Sequence, residues 1–246
     1  MKTIIGIDDT DNPESRGTGH IVRKLCDFLV QQNLFKTDLI VRHQLYVHPS
    51  IPYTSHNSAA SVLGTLLKDI AALTDACTSY LLENAAEGSD AGLCIIRDTT
   101  AVQKDILTDW GLRAKREILT EEQAYSLAKK CGIFLKGLTG RKTGIIGALA
   151  ATGLILGGND GRVLWMQNLR EATGQMTVDT IKKKMGIDLV MTTENIPLRD
   201  EDIVLLSDWN RPLIKNHKSI LYVEHYNTNK NEYKTASKHF IKSLSE

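Results

Sequence analysis

The chain opens at Met1–Pro13 with "MKTIIGIDDTDNP", a β-branched run that ends in a cluster of aspartates. Residues 3–7, Thr-Ile-Ile-Gly-Ile, have the composition of a buried strand. The Asp-Asn-Pro that follows supplies turn chemistry, because Asp and Asn side chains bond nearby backbone N–H groups. A strand is therefore predicted to end near Ile7, with Asp8, Asp9 and Asp11 at its exit. Downstream, Ile21, Val22, Leu25, Cys26 and Leu29 recur at the spacing of one helical face and predict a helix over about 19–32. Leu39, Val41, His43, Leu45 and Val47 then alternate with Ile40, Arg42, Gln44 and Tyr46, the period of a strand. A loop, "HPSIPYTSHNSAASVLG", leads into a further strand near 59–63. A helical stripe follows at Ile70, Leu73, Cys77, Tyr80 and Leu81, and a strand at 92–96. The order β-α-β-β-α-β is that of a ferredoxin-like unit.

Beyond Thr99 the pattern becomes helical. Val102, Ile106 and Trp110 form one stripe, and Thr120-Glu-Glu-Gln123 has the form of a capping box before Ala124, Leu127, Ala128 and Cys131. "GLTGRKTGIIGALAATGLILGG" then runs from a glycine-rich turn into a continuous apolar helix over 145–156, followed by a strand at 162–166. The last third predicts a helix through Val178, Ile181 and Met185, an apolar burst at 203–206, a strand at 219–223, and a polar, basic tail from Asn227. The fold class expected is α+β: a ferredoxin-like βαββαβ start elaborated by helices, with a smaller α+β C-terminal part. A boundary is placed near 170 on the polar stretch "REATGQMT", giving residues 1–170 and 171–246.

Composition narrows the function classes. Apolar residues make up 42% and charged residues 24%, which excludes disordered, collagenous and coiled-coil chains. The net charge is +1, so no whole-chain pull toward nucleic acid or membrane exists and any RNA contact is local. No apolar run is long enough to span a bilayer, and a cytoplasmic location is expected. Cys26, Cys77, Cys94 and Cys131 lie far apart without a C-x-x-C pair, which fits buried free thiols. His43, His48 and His56 have no recognised ligand spacing and are read as core or loop histidines.

Two constellations carry chemistry. Asp8, Asp9 and Asp11 can present hard oxygens from one tight turn, which suits Mg²⁺, an ion that takes one or two carboxylates and leaves positions for waters and substrate phosphates. An Asx-rich turn ahead of the next helix explains the same residues. Gly140-Arg-Lys-Thr-Gly144 heads the apolar helix, where backbone N–H groups attract anions and Arg141 and Lys142 add charge; Thr143 belongs to the same turn. A glycine-rich turn into a buried helix is the other reading. The Gly-Lys-Ser/Thr of a Walker A loop is absent.

In order, "IGIDDTD", "HPSIPY", "DAGLCII" and "TGIIGALAATG" resemble the archaeal tRNA-isoleucine agmatinylcytidine synthetases, which carry IGIDDTD, NPxIPY, NPGxxxV and a GLIGALAAVG segment. The resemblance covers roughly residues 3–170, and "DWNRPLI" suggests that family's following ferredoxin-like domain. That family uses ATP in a kinase-like domain to activate a cytidine, after which agmatine replaces the activated oxygen. The resemblance implies that Asp8, Asp9 and Asp11 hold Mg²⁺ and ATP, with Thr10 and Gly140–Gly144 in the nucleotide site. Where the family has Gly-Met-Cys-Thr-Thr, whose first threonine is autophosphorylated, this chain reads Gly17-Thr-Gly-His-Ile21. The matching place is held by His20 or, with a shifted gap, by Thr18.

The family continues into an OB-fold and a zinc ribbon that grip tRNA, and no Cys₄ pattern occurs in this sequence. The expectation is a Mg²⁺-dependent, ATP-using enzyme, kinase-like or ligase-like, with Asp8, Asp9, Asp11 and His20 as its catalytic residues. Its acceptor is unidentified and tRNA is not the favoured partner. Three alternatives stay open: an RNA-modification subunit with a separate tRNA-binding partner, a non-catalytic nucleotide-binding module, and a small-ligand-binding protein. The oligomeric state is open, a homodimer included.

Overall fold

The computed structural model describes residues 2–53, 56–227 and 232–245. The chain divides into two compact units, Met1–Gly157 and Gly158–Glu246. The boundary lies upstream of the expected position near 170. The strand at Arg162–Met166 pairs with a strand at Leu213–Lys215 and so belongs to the second unit. Among the described residues no helix is long and apolar enough to cross a membrane.

The first unit follows the predicted order, β1 (Lys2–Asp8), α1 (Thr18–Gln31), β2 (Phe35–Gln44), β3 (Ser58–Leu66), α2 (Ile70–Asn84) and β4 (Gly92–Arg97). It continues with α3 (Ala101–Arg113), α4 (Glu121–Cys131), β5 (Phe134–Gly137) and α5 (Ile145–Gly157). The sheet runs β5-β4-β1-β3-β2 and every pair is antiparallel. Strand β5 is too short to show a period and extends the ferredoxin-like sheet beyond β4. Residues 54–55, in the loop expected between β2 and β3, lie outside the described residues.

Alternation along β1 assigns the two faces of the sheet. Ile5 and Ile7 are fully buried on one face, as are Val22, Leu25 and Leu29 of α1 and Leu73, Cys77 and Leu81 of α2, the two stripes read from the sequence. Ile4, Gly6 and Asp8 face α5. Helix α5 is apolar nearly all round, buried between the sheet and α3, in a cluster with Cys94, Ile96, Leu107, Trp110 and Ile4. It lies so close to β1 that a Cβ at position 6 would collide with the Ala148 carbonyl, so glycine is required there. The face that buries Gly6 thus carries Asp8 to the first turn of α5.

The second unit comprises β6 (Arg162–Met166), β7 (Gly174–Thr177), α6 (Val178–Met185), β8 (Leu189–Thr192), β9 (Ile203–Leu206), β10 (Leu213–Lys215), β11 (Lys218–Asn227), β12 (Glu232–Thr235) and α7 (Lys238–Ser245). Its strands run β6-β10-β11-β12-β9-β7, with β8 pairing β11 in parallel. This order is α+β but departs from the βαββαβ expected of a ferredoxin-like C-terminal part. The β10–β11 hairpin turns on Asn216 and His217, both at positive φ (50° and 59°), as a two-residue primed turn demands. The basic tail folds into α7, whose Ile241 joins Leu213, Ile220, Tyr222 and Ala236 in this unit's core. Residues 228–231 of that tail lie outside the described residues.

Candidate nucleotide and metal site

The acidic turn is held from behind. Asp9 takes a left-handed conformation (φ 52°), which aspartate tolerates better than most side chains. Thr10 is fully buried, and Thr18 at the head of α1 accepts from the Thr10 N–H (3.3 Å) and hydroxyl (3.2 Å). The Thr18 hydroxyl in turn donates to Asp11 Oδ1 at 2.7 Å. Thr10 is therefore a brace for the turn, and the proton of the Thr18 hydroxyl is committed to Asp11. The Ala86 N–H donates to the Thr10 carbonyl (2.9 Å), fixing the turn to the loop after α2.

The loop ahead of α5 is organised by Asp90, a buried carboxylate that the sequence reading did not single out. Asp90 accepts from the Arg141 backbone N–H, from Arg141 Nε (3.3 Å) and from the Thr143 hydroxyl (3.3 Å). The Gly144 N–H donates to the Asp90 carbonyl (3.0 Å) and the Lys142 N–H to the Thr139 carbonyl (3.1 Å). The amides of Arg141, Lys142 and Gly144 are thus paired within the protein. Thr143 and Gly144 are the part of that loop that lines the cleft described next; Gly140, Arg141 and Lys142 are not.

A cleft of about 480 Å³ opens where the β1 exit meets the head of α5. Asp8 and Asp9 line it together with Thr143, Gly144, Ile146 and Gly147. Leu45, Ile51 and Pro52 form an apolar wall, and residues 117–122, the α3–α4 connection with the first turn of α4, close the remaining side. That connection is pinned by hydrogen bonds. The Tyr46 N–H donates to the Ala114 carbonyl (3.0 Å), and Trp110 Nε1 donates to the Ile146 carbonyl (3.3 Å). The predicted capping box is present: the Gln123 N–H donates to Thr120 Oγ1 (3.3 Å) and the Thr120 N–H to Gln123 Oε1 (3.0 Å). Beside the cleft, a smaller cavity gathers Asp8, Asp9 and Asp11 with Tyr53, His56 and Asn57.

Burial and mutual repulsion disfavour the charged forms of Asp8 and Asp9. Asp8 is raised well above the usual carboxylate range by burial first and then by the charges of Asp9 and Asp11. Asp9 is pushed up to about 6 by burial, then by Asp90 and Asp11, with Arg141 opposing. Carboxylates that repel one another in a cleft favour a cation among them. Among the described residues no group of three or more His, Cys, Asp or Glu is poised to ligate a metal by itself. The donor set fits Mg²⁺ all the same, since that ion needs only one or two protein carboxylates and completes its shell with water and phosphate.

The structure brings Asp8, Asp9, Asp11, Thr143 and Gly144 to one place. His20 lies on the first turn of α1, lines neither cavity, and is held below the ordinary imidazole value by partial burial and the nearby charges of Arg23, Arg16 and Lys24. His43 is buried with Nε2 2.8 Å from Ser61 Oγ, and His48 Nδ1 accepts from the Ser50 N–H (3.1 Å), so both act as structural histidines. All four cysteines are free and buried. Asp90, His56 and Glu117–Glu122 enter the site only through tertiary contacts, although "HPSIPY" marks the wall that carries Ile51 and Pro52.

No family model matches the chain. It is 31% identical over 155 residues to TiaS, the isoleucine-tRNA 2-agmatinylcytidine synthetase, of Pyrococcus horikoshii, covering 61% of this chain and 35% of that protein. It is 30% identical over 158 residues to TiaS of Methanosarcina acetivorans, covering 62% and 36%. Among solved structures it is similar to a complex of TiaS with its isoleucine tRNA and ATP, with 26% identity and a TM-score of 0.54. It is also similar to a complex of TiaS with that tRNA, AMPCPP and agmatine, with 25% identity and a TM-score of 0.53. Each structural match covers 62% of this chain and 36% of the other. The chain spans about a third of the length of these relatives. It is similar to the isoleucine-tRNA 2-agmatinylcytidine synthetases over about three-fifths of its own length.

Proposed function

We propose that the first unit is a Mg²⁺-dependent, ATP-using catalytic core for phosphoryl transfer or ATP-driven ligation. The observation that carries this reading is the juxtaposition of Asp8 and Asp9 with the head of α5 on the floor of a cleft of about 480 Å³, a volume suited to a nucleotide-sized ligand. The similarity to proteins solved with ATP and AMPCPP supports it. Bound Mg²⁺–ATP would supply the activated phosphoryl group. The protein's part is positioning and charge neutralisation, the main demands of phosphoryl transfer. Asp8 and Asp9 would hold the cation, and Asp11 would tie the turn to α1 through Thr18.

Among the described residues, the lining of the cleft includes Asp8, Asp9, Glu117, Glu121 and Glu122 and neither Lys nor Arg. A triphosphate is repelled by such a wall unless a divalent cation accompanies it, so binding is expected to depend strictly on Mg²⁺. The same glutamates favour a cationic co-substrate. An amine-bearing acceptor is therefore the class that fits, in keeping with the agmatine bound in one structurally similar protein.

Isothermal titration with a non-hydrolysable ATP analogue, with and without Mg²⁺, tests this reading. Saturable binding only with Mg²⁺, weakened at least tenfold in Asp8→Asn and Asp9→Asn without loss of folding, is expected. Equal affinity in the absence of Mg²⁺, or in both variants, would overturn it.

A further inference from the structure

A further cavity, of about 380 Å³, lies in the first unit between α3 and α4. One face of each helix lines it: Ile106, Asp109, Trp110 and Arg113 on α3, and Gln123, Leu127 and Lys130 on α4, at the spacing of successive turns. The two helices are tied at both ends of this hollow. At one end Gln103 Nε2 donates to the Cys131 carbonyl (2.9 Å). At the other the chain turns from α3 into α4, and Arg113 Nε lies 3.0 Å from Glu117 Oε2. The helices therefore run antiparallel, and the space between them is a short slot that suits a small molecule rather than a protein segment.

The floor of the slot is apolar. Ile106 and Leu127 pack against the core around α5, and Trp110, 2% exposed, gives its indole N–H to the Ile146 carbonyl and so offers the slot only hydrocarbon surface. The charges stand apart along this floor. Arg113 and Glu122, which also lines the cleft, mark the turn end; Lys130 marks the far end beside Ile106, and Asp109 lies between. Arg113 is committed to Glu117, whereas among the described residues the side chains of Asp109, Glu122 and Lys130 have no ion-pair or hydrogen-bond partner. Their charged neighbours in sequence, Asp105, Glu121 and Lys129, do not line the slot. The dipole of α4 accounts for a Glu in its first turn and a Lys in its last, but not for Asp109 on the other helix or for the hollow itself.

We propose that this slot binds an aliphatic ω-amino acid, with its ammonium at Glu122 and Asp109, its carboxylate at Lys130 and its methylene chain on Ile106, Trp110 and Leu127. Glu122 and Lys130 are eight residues apart on one helix, a rise of about 12 Å. A charge-assisted hydrogen bond of about 3 Å at each end leaves about 6 Å between the ligand's charges, the extended length of about four methylenes. An α-amino acid, whose charges share one carbon, reaches only one end. Each exposed ion pair is weak by itself, so binding requires both ends and the floor together.

The test titrates 5-aminopentanoate into the full chain without nucleotide or Mg²⁺ and follows the Trp110 indole N–H resonance, assigned by elimination with Trp165→Phe and Trp209→Phe. A saturable shift is expected. Pentylamine and pentanoate, with one charged end each, and glycine should bind at least fivefold more weakly at matched ionic strength. Lys130→Gln and Asp109→Asn, both at exposed positions, should each weaken 5-aminopentanoate at least threefold with the melting temperature unchanged. No saturable shift, equal affinity for any of the three controls, or undiminished affinity in either variant would overturn the proposal. Because no nucleotide is present, failure here and failure of Mg²⁺–ATP binding in the cleft are separately visible.

Discussion

Oδ2 of Asp8 occupies the space that a side chain at Gly147 would need. The carboxylate at the end of β1 and the first turn of α5 are therefore fitted to each other with no room for a methyl group. In Gly147→Ala the added carbon displaces Asp8 or lifts α5. The expected result is a stability loss of about 1–3 kcal/mol, the usual cost of overpacking. Mg²⁺-dependent nucleotide affinity should fall at least tenfold. Denaturant unfolding and calorimetry read the two effects, and a variant that binds normally would remove Asp8 from the site.

The raised carboxyl of Asp9 makes stability depend on pH in a defined direction. Its folded value, about 6, lies above the ordinary 3.8, so the native state binds more protons than the unfolded state between those values. Stability contributed by this group is present below about 3.8 and is lost as pH rises through about 6. Thermal unfolding from pH 4 to 7 without divalent cations should therefore show a downward contribution in the wild type that Asp9→Asn lacks. Added Mg²⁺ should offset the loss at pH 7. Parallel pH profiles for the two proteins would contradict the assignment.

Asp90 couples the α5 loop to the acidic turn. Asp90→Ala strands the Arg141 N–H and the Thr143 hydroxyl, at an expected cost of about 1–3 kcal/mol. It also removes the like charge that ranks next after burial in raising Asp9, so the Asp9 carboxyl should move down toward its ordinary value. Carboxyl titration by NMR checks the second effect. An Asp9 value unchanged in the variant would show that the two carboxylates do not interact.

His20 lines neither cavity, and desolvation followed by three neighbouring cations disfavours its protonation. His20→Ala is accordingly expected to leave Mg²⁺–ATP affinity within about twofold and turnover within about threefold, a barrier change under about 0.7 kcal/mol. A tenfold loss of turnover at preserved affinity would instead place the imidazole in the mechanism, through a motion of the α1 head toward the cleft.

The sequence by itself determined the first unit's β-α-β-β-α-β order, because period-two and helical stripes are local and survive in one dimension. The strand at Arg162–Met166 and the helix through Val178, Ile181 and Met185 were legible as well. The capping box at Thr120–Gln123 and the acidic turn at Asp8–Asp11 could likewise be read from spacing alone. Short strands such as β5 and β7 carry too few residues to show a period, and the β10–β11 hairpin turns on Asn216 and His217, which lack the usual glycine signal. Only the tertiary structure decided what the aspartates face. Strand alternation directs Asp8 toward α5, the packing of α5 on Gly6 brings Gly147 against it, and the α3–α4 connection with the first turn of α4 supplies Glu117–Glu122 as the opposing wall. The pairing of the loop amides by Asp90 was equally invisible in one dimension, because a hydrogen bond between segments far apart in the chain leaves no periodic trace in either of them.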